Sequence, residues 1–169
     1  VRKAEPCALR AFSLAHQETD LMKRIVWDQP ERVMQFVATR AGEECYRDYS
    51  AIGLASDGEI VAGVVYCAHS GANVITHIAS DGSRAWLTPA YLGAIFRYPF
   101  IQLGCARITA IVRADNADSR RFVTHLGFVE EGRMRRAEAD GTDLIIFGML
   151  RSECRFLEGK HHAALLRAA

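Results

Sequence analysis

Three places in the sequence carry residues that could do chemistry. Ahead of a helix start at Thr88-Pro89 lies the run Ser80-Asp81-Gly82-Ser83-Arg84. Gly82, Ser83 and Arg84 can form an anion site there, because unpaired N–H groups and the positive end of the helix dipole converge at a helix N-terminus. Asp81 would oppose a phosphate, and the alternative is a plain turn before a helix. His77 sits in the apolar stretch Val74 to Ala79. Its ordinary pKa suits base work near neutral pH; the alternative is a hydrogen-bonded structural histidine. Asn116 precedes a short amphipathic stretch, where its side-chain oxygen can accept an orphan backbone N–H, with Ser119 three residues on. His161-His162 lack partners at metal-ligand spacing, so no metal is expected. The five cysteines, Cys7, Cys45, Cys67, Cys105 and Cys154, form no CxxC pair. They read as reduced thiols in the cytoplasm, not as a disulfide framework.

These residues need elements to hold them. Ile108 to Val112 is a β-branched apolar run and reads as a buried strand. Phe122, Val123 and Leu126 then give a helical stripe after Asn116. Gly127 closes that helix as a left-handed C′ residue. Upstream, Thr88 as cap and Pro89 at the first position open a helix whose face runs Leu92, Ile95, Phe96, Pro99, Phe100, Leu103. Pro99 lacks an N–H and clashes with the preceding turn, so the spacing predicts a kink or break there. Trp86 reads as a core or wall residue. Ser50 to Ser56, Asp57-Gly58 and Glu59 to Cys67 form a hairpin, since both turn positions tolerate positive φ. Val74 to Ala79 begins a third strand. Val129 to Glu138 and Asp143 to Leu150 form a second hairpin, and the run Leu144 to Phe147 predicts burial on both faces. At the start, Ala8 to Leu14 reads as a strand and Glu18 to Trp27 as a helix. Asp28 would then cap a second helix, with Pro30 in its first turn and Glu31 closing a capping box. A short helix through Leu165 and Leu166 ends the chain.

The composite of strand, Asn116, Ser119 and His125-Leu126-Gly127-Phe128-Val129-Glu130-Glu131-Gly132 resembles the C-terminal half of the GNAT superfamily of N-acetyltransferases. The likeness spans about residues 50–156. It implies an α/β (α+β) fold: a mixed, mostly antiparallel central sheet flanked by helices and splayed at an acetyl-CoA cleft. It implies acetyl-CoA as cosubstrate, with the backbone of Ile78, Ala79 and Ser80 offered to the pantetheine arm. Asn116 and Ser119 would lie near the pantetheine and phosphate end. Family members usually hold the pyrophosphate on a Gln/Arg-x-x-Gly-x-Gly/Ala loop. Arg84 begins such a pattern here, but Leu87 stands where its first glycine belongs. Many relatives protonate the departing thiolate with a tyrosine seven residues after the asparagine; here that position is Val123. His77 lies where relatives often carry an acidic base, which makes it a catalytic candidate, with Tyr91 and His125 behind it. The string from Trp86 to Gly104 is similar to a branch found in bacteriophage and prophage genomes.

The 169 residues fit one domain, 1–169, long enough for a real core. Net charge is +1, which by itself asks for neither nucleic acid nor a membrane surface and leaves a local patch open. No signal peptide or membrane-length apolar run stands out, although the sequence begins at Val1. The expected function is acetyl transfer to the amine of a small molecule or protein by direct attack, since no cysteine has a recognisable histidine partner in sequence. The rival is a non-catalytic descendant that binds CoA, an acylated ligand or a protein partner. A homodimer is compatible with either.

Overall fold

The computed structural model describes residues 23–168. Seven strands form one sheet: β1 (Arg24–Val26), β2 (Ser50–Ser56), β3 (Glu59–Cys67), β4 (Asn73–Ser80), β5 (Arg107–Arg113), β6 (Val129–Met134) and β7 (Leu144–Leu150). Their order is β1-β2-β3-β4-β5-β7-β6. Every pairing is antiparallel except that of β4 with β5. This is the mixed, mostly antiparallel sheet the sequence led us to expect. Among the described residues four α-helices flank it: α1 (Pro30–Ala41), α2 (Pro89–Arg97), α3 (Ala117–Leu126) and α4 (Gly159–Ala168). None of the described helices is long and apolar enough to cross a membrane.

The helices divide between the two faces. On one, Val33 and Val37 of α1 pack with Val26, Ala51, Ala55, Ile60 and Val65. Glycines let α1 come close: a methyl on Gly53 would lie 2.6 Å from Val33 Cγ2, and one on Gly63 2.8 Å from Val37 Cγ2. On the other face α2 and α3 cover a larger core centred on Tyr91, Phe100, Ile108, Ile145, Phe147 and Met149. Trp86 is 4% exposed and belongs to this core.

The first hairpin forms as expected, with φ of 53° at Asp57 and 84° at Gly58. The Thr88 hydroxyl accepts from Tyr91 N–H at 3.3 Å, and Pro89 opens α2. Pro99 does break the ladder. The α-helix stops at Arg97, and a π-helical turn, Tyr98–Gln102, carries the chain on, closed by Leu103 N–H to Tyr98 O at 3.0 Å. Without an N–H, Pro99 leaves the Ile95 carbonyl without its helical donor. The Tyr66 hydroxyl takes the vacant place, donating to Ile95 O at 2.6 Å inside the core.

Four expectations need correction. Within Glu18 to Trp27, residues Arg24–Val26 form a strand, not a helix; β-branched Ile25 and Val26 pair along the free edge of β2. The start of α1 lies one residue later than expected. Gln29 holds the cap position without a side-chain hydrogen bond, and Asp28 instead sits 3.5 Å from Arg24 Nη1. Strand β6 ends at Met134, because the chain turns away at Arg136, whose φ is 52° and whose N–H donates to Asp143 Oδ1 at 2.7 Å. In β7 only the alternate residues Ile145, Phe147 and Met149 are buried among the apolar side chains; Leu144 and Ile146 are half-buried. The C-terminal helix is present as α4, with Leu165 half-buried and Leu166 67% exposed. The strand expected at Ala8 to Leu14 lies outside the described residues.

Candidate functional site

A gap in the middle of the sheet defines the site. β4 and β5 pair only at Asn73↔Arg107, Val74↔Ile108 and Ile75↔Thr109. Thr76 Oγ1 donates to Thr109 O at 3.2 Å as the last bridge. Beyond it β4 stays with β3 as far as Ala62↔Ser80, while β5 follows β7 to Arg113↔Leu144. The two halves of the sheet therefore part between Thr76 and Ser80. Polar side chains clasp the closed end: Thr109 Oγ1 donates to Asn73 Oδ1 at 2.8 Å, and Arg107 pairs with Glu131 at 2.6 Å. Along Ile78, Ala79 and Ser80, backbone groups facing the gap have no strand partner; the Ser80 carbonyl accepts from Arg40 Nε at 3.1 Å. Such an open edge can pair with an extended ligand as a strand would.

Asn116 and Ser119 stand at the outer end of this gap, where β5 hands over to α3. Asn116 Oδ1 accepts from Ser119 N–H at 2.9 Å, the cap expected. Its Nδ2 and the Ser119 hydroxyl have no partner among the described residues. Gly127 closes α3 with φ of 107°, and Phe128 N–H returns to Val123 O at 3.1 Å. Val123 is 5% exposed in the core and presents nothing to the gap. A residue that sequence reasoning missed holds this corner. Arg113, the last residue of β5, bonds Asp115 at 3.1 and 2.9 Å, Asp140 at 2.8 Å and Thr142 at 3.1 Å. It ties the turn before α3 to the loop between β6 and β7. Its guanidinium keeps the Asp140 and Asp115 carboxyls below the usual range.

The turn ahead of α2 is not an open cradle. Asp81 Oδ1 accepts from Ser83 N–H at 2.9 Å, Ser80 Oγ from Gly82 N–H at 3.2 Å, and Ser83 Oγ from Ala85 N–H at 3.3 Å. Bonding to Ser83 lowers the Asp81 pKa. A carboxylate of the chain thus occupies a donor that an incoming phosphate would want. Cations are nonetheless close: Arg84 is exposed, and Lys23 Nζ donates to Ala85 O at 2.8 Å. Neither spacing nor pattern in the sequence pointed to Lys23.

His77 faces the α1 side of the sheet, half-buried. Its ring centre lies 4.4 Å from that of Tyr46, and its Nε2 lies 3.4 Å from Cys67 Sγ. Neighbouring strands create this thiol–imidazole contact, which no local sequence pattern could show. Burial lowers the His77 pKa and raises that of Cys67, so both are neutral at pH 7. That opposes a thiolate–imidazolium pair and leaves the imidazole able to accept a proton. Tyr46 adds a buried hydroxyl with no hydrogen-bond partner, its pKa pushed up to about 12, first by burial and then by Glu43 and Cys67. Tyr91 is corrected by its position. It is fully buried, and its hydroxyl donates to Ile52 O at 2.8 Å, so it anchors α2 to β2. His125 is exposed on the last turn of α3. Among the described residues no three His, Cys, Asp or Glu side chains cluster as a metal site would require.

Solved acetyltransferase structures share this architecture. RimJ from Mycobacterium smegmatis, solved with CoA-disulfide, is 25% identical over 71% of this chain and 60% of its own, with a TM-score of 0.54. Ard1 from Thermoplasma volcanium is 17% identical over 76% of this chain and 97% of its own, at 0.61. A spermidine N-acetyltransferase from Vibrio cholerae, solved with CoA and spermine, is 15% identical over 66% of this chain and 70% of its own, at 0.56. The match thus spans about three fifths of the RimJ chain, and 63% of a probable acetyltransferase. The fold is GNAT-like. No family model and no curated protein matches the sequence.

Proposed function

We propose that this chain is an acetyl-CoA-dependent N-acetyltransferase. The observation that carries the reading is the parting of β4 from β5 after Ile75, with the Asn116-capped helix at its open end. Acetyl-CoA would supply a thioester whose acyl group is open to attack by an amine. The unpaired edge of Ile78, Ala79 and Ser80 would hold its extended arm. Asn116 Nδ2, the Ser119 hydroxyl, Gly82, Ser83 and Arg84 would hold its phosphate end. His77 would take the proton of the acceptor, a small-molecule or protein amine. Direct attack fits better than acylation of Cys67, whose thiol burial keeps protonated. A proton for the departing thiolate would come from water, since Val123 is buried and Tyr91 is engaged in the core. General acid–base assistance is typically worth about 10²–10⁴-fold, so turnover without a positioned donor should be slow. Free Cys45, Cys67, Cys105 and Cys154 suit a reducing cytoplasm. A bacteriophage origin, to which the resemblance of the string from Trp86 to Gly104 points, and a homodimer are compatible with this reading.

The second reading is a non-catalytic protein that binds CoA, an acylated ligand or a protein partner. Val123 in the core and Asp81 closing the phosphate turn favour it. Calorimetry and thermal melting with acetyl-CoA test the common premise, because a ligand bound only by the folded state raises Tm by mass action. Saturable heat and a rise in Tm are expected. Neither signal at millimolar ligand would remove both the enzyme and the CoA-binding reading. Acetylation of a panel of amines then separates a transferase from a binder.

A further inference from the structure

A second part of the molecule is shaped for a ligand, independently of the gap in the sheet. A cleft of about 610 Å³ opens between α2, α3 and the start of α4, and no residue of β4 or β5 lines it. Its apolar wall is Leu87, Leu92, Leu126 and Phe156. Its polar lining is cationic, with Arg155 and Lys160 beside His125 and His161, and Glu158 as the sole carboxylate. Glu158 lies 3.9 Å from His162 Nδ1.

His161 is the informative member. It is 9% exposed and lines the cleft, yet neither ring nitrogen has a hydrogen-bond partner among the described residues. Its ring meets Phe156 edge-on at 5.1 Å. Its backbone is seated tightly, since a methyl on Gly93 would lie 2.8 Å from the His161 carbonyl oxygen. Its ring nitrogens are not sealed from solvent, so a ligand in the cleft can bond them without displacing a partner from the described residues. Its position in the first turn of α4 adds the positive end of that helix.

We infer that this cleft binds an amphiphilic anion, a carboxylate carried on an apolar chain. The head group meets His161, Lys160 and the first turn of α4. The chain lies over Leu87, Leu92, Leu126 and Phe156. Burial, with Lys160 and Arg155, keeps the His161 pKa low, and a negative charge beside it would raise it again.

The test is calorimetry on the full chain with octanoate, alongside 1-octanol and inorganic phosphate, with the His161 ring followed by NMR. Octanoate should saturate one site, shift the His161 resonances and bind about tenfold more tightly than the alcohol, as a charge-assisted hydrogen bond allows. Phosphate, lacking the apolar chain, should bind far more weakly. Lys160→Gln, a change at an exposed side chain, should weaken octanoate about fivefold, and His161→Gln should weaken it further. Excess acetyl-CoA should leave the octanoate isotherm unchanged. Equal binding of alcohol and octanoate, phosphate binding as tight as octanoate, wild-type affinity in both variants, or displacement by acetyl-CoA would each overturn the assignment.

Discussion

Tyr66→Phe isolates one hydroxyl with a defined task. In the folded chain that hydroxyl donates at 2.6 Å to the Ile95 carbonyl, the acceptor that Pro99 leaves without a helical donor. Phenylalanine keeps the ring and its contact with Tyr98, whose centre lies 4.9 Å away. What disappears is the bond, and a buried carbonyl is left unsatisfied. That costs about 1–3 kcal/mol. At about 2–4 °C per kcal/mol for a chain of this size, a loss near 2 kcal/mol lowers Tm by about 4–8 °C. Pro99→Ala completes the argument, because it returns an N–H to position 99 that can reach Ile95 O. In the Pro99→Ala background the tyrosine hydroxyl should therefore matter less, with a coupling of about 1 kcal/mol or more in the double-mutant cycle. Denaturant melts of the four proteins measure it. An unchanged Tm for Tyr66→Phe, or strictly additive losses in the double variant, would refute the account of how the core accommodates Pro99.

Other outcomes follow from the site and its supports. With an acceptor amine identified, His77→Ala should lower kcat by about 10²-fold or more while acetyl-CoA affinity holds; an unchanged kcat would leave His77 a sheet residue. Asp81→Asn should tighten acetyl-CoA binding a few-fold by calorimetry, because it removes a negative charge from the turn ahead of α2; weaker binding would mean that the phosphate lies elsewhere. Gly93→Ala should cost about 1–3 kcal/mol in melts, since the added methyl meets the His161 backbone at 2.8 Å and must push α4 outward. The carboxyl groups of Asp115 and Asp140 titrate below their ordinary value near Arg113. Their stabilising contribution is full above the unfolded carboxylate pKa, about 4, and is lost as pH falls through the lower folded value. Arg113→Gln should accordingly flatten the fall of Tm below about pH 4; an acid limb identical to wild type would show that the cluster contributes nothing.

Much of this organisation is legible in the sequence where the cause is local. Asp57-Gly58 selects its turn by backbone preference, Thr88-Pro89 opens a helix within three residues, and Asn116 and Gly127 bracket α3. The break in the helix follows from Pro99 alone, but its π-helical form and its compensation by Tyr66 do not, because that donor comes from another strand. Non-local causes account for what was missed. Arg24–Val26 is too short to show a period and becomes a strand only because β2 offers an edge. Tyr91 was open to a catalytic role until packing placed its hydroxyl on Ile52. Cys67 and His77 meet through strand register, and Arg113 gathers partners from a loop about 27 residues away.

The three-pair junction between β4 and β5 also bears on how the chain assembles. Strands β2 to β4 form a meander of neighbouring hairpins, and β5 to β7 close on each other with α3 between them. Each half can form from contacts close in sequence, whereas their union requires a parallel pairing across the whole α2 segment. Such pairing carries a loop-closure cost that local hairpins avoid. The two halves are expected to behave as separate cooperative units, with the seam between them closing last during folding. Amide hydrogens of Thr76 to Ser80 that face the gap should exchange with solvent well before those bonded to β3. A ligand threaded along that edge would slow them selectively, so that binding and the completion of the sheet become one event.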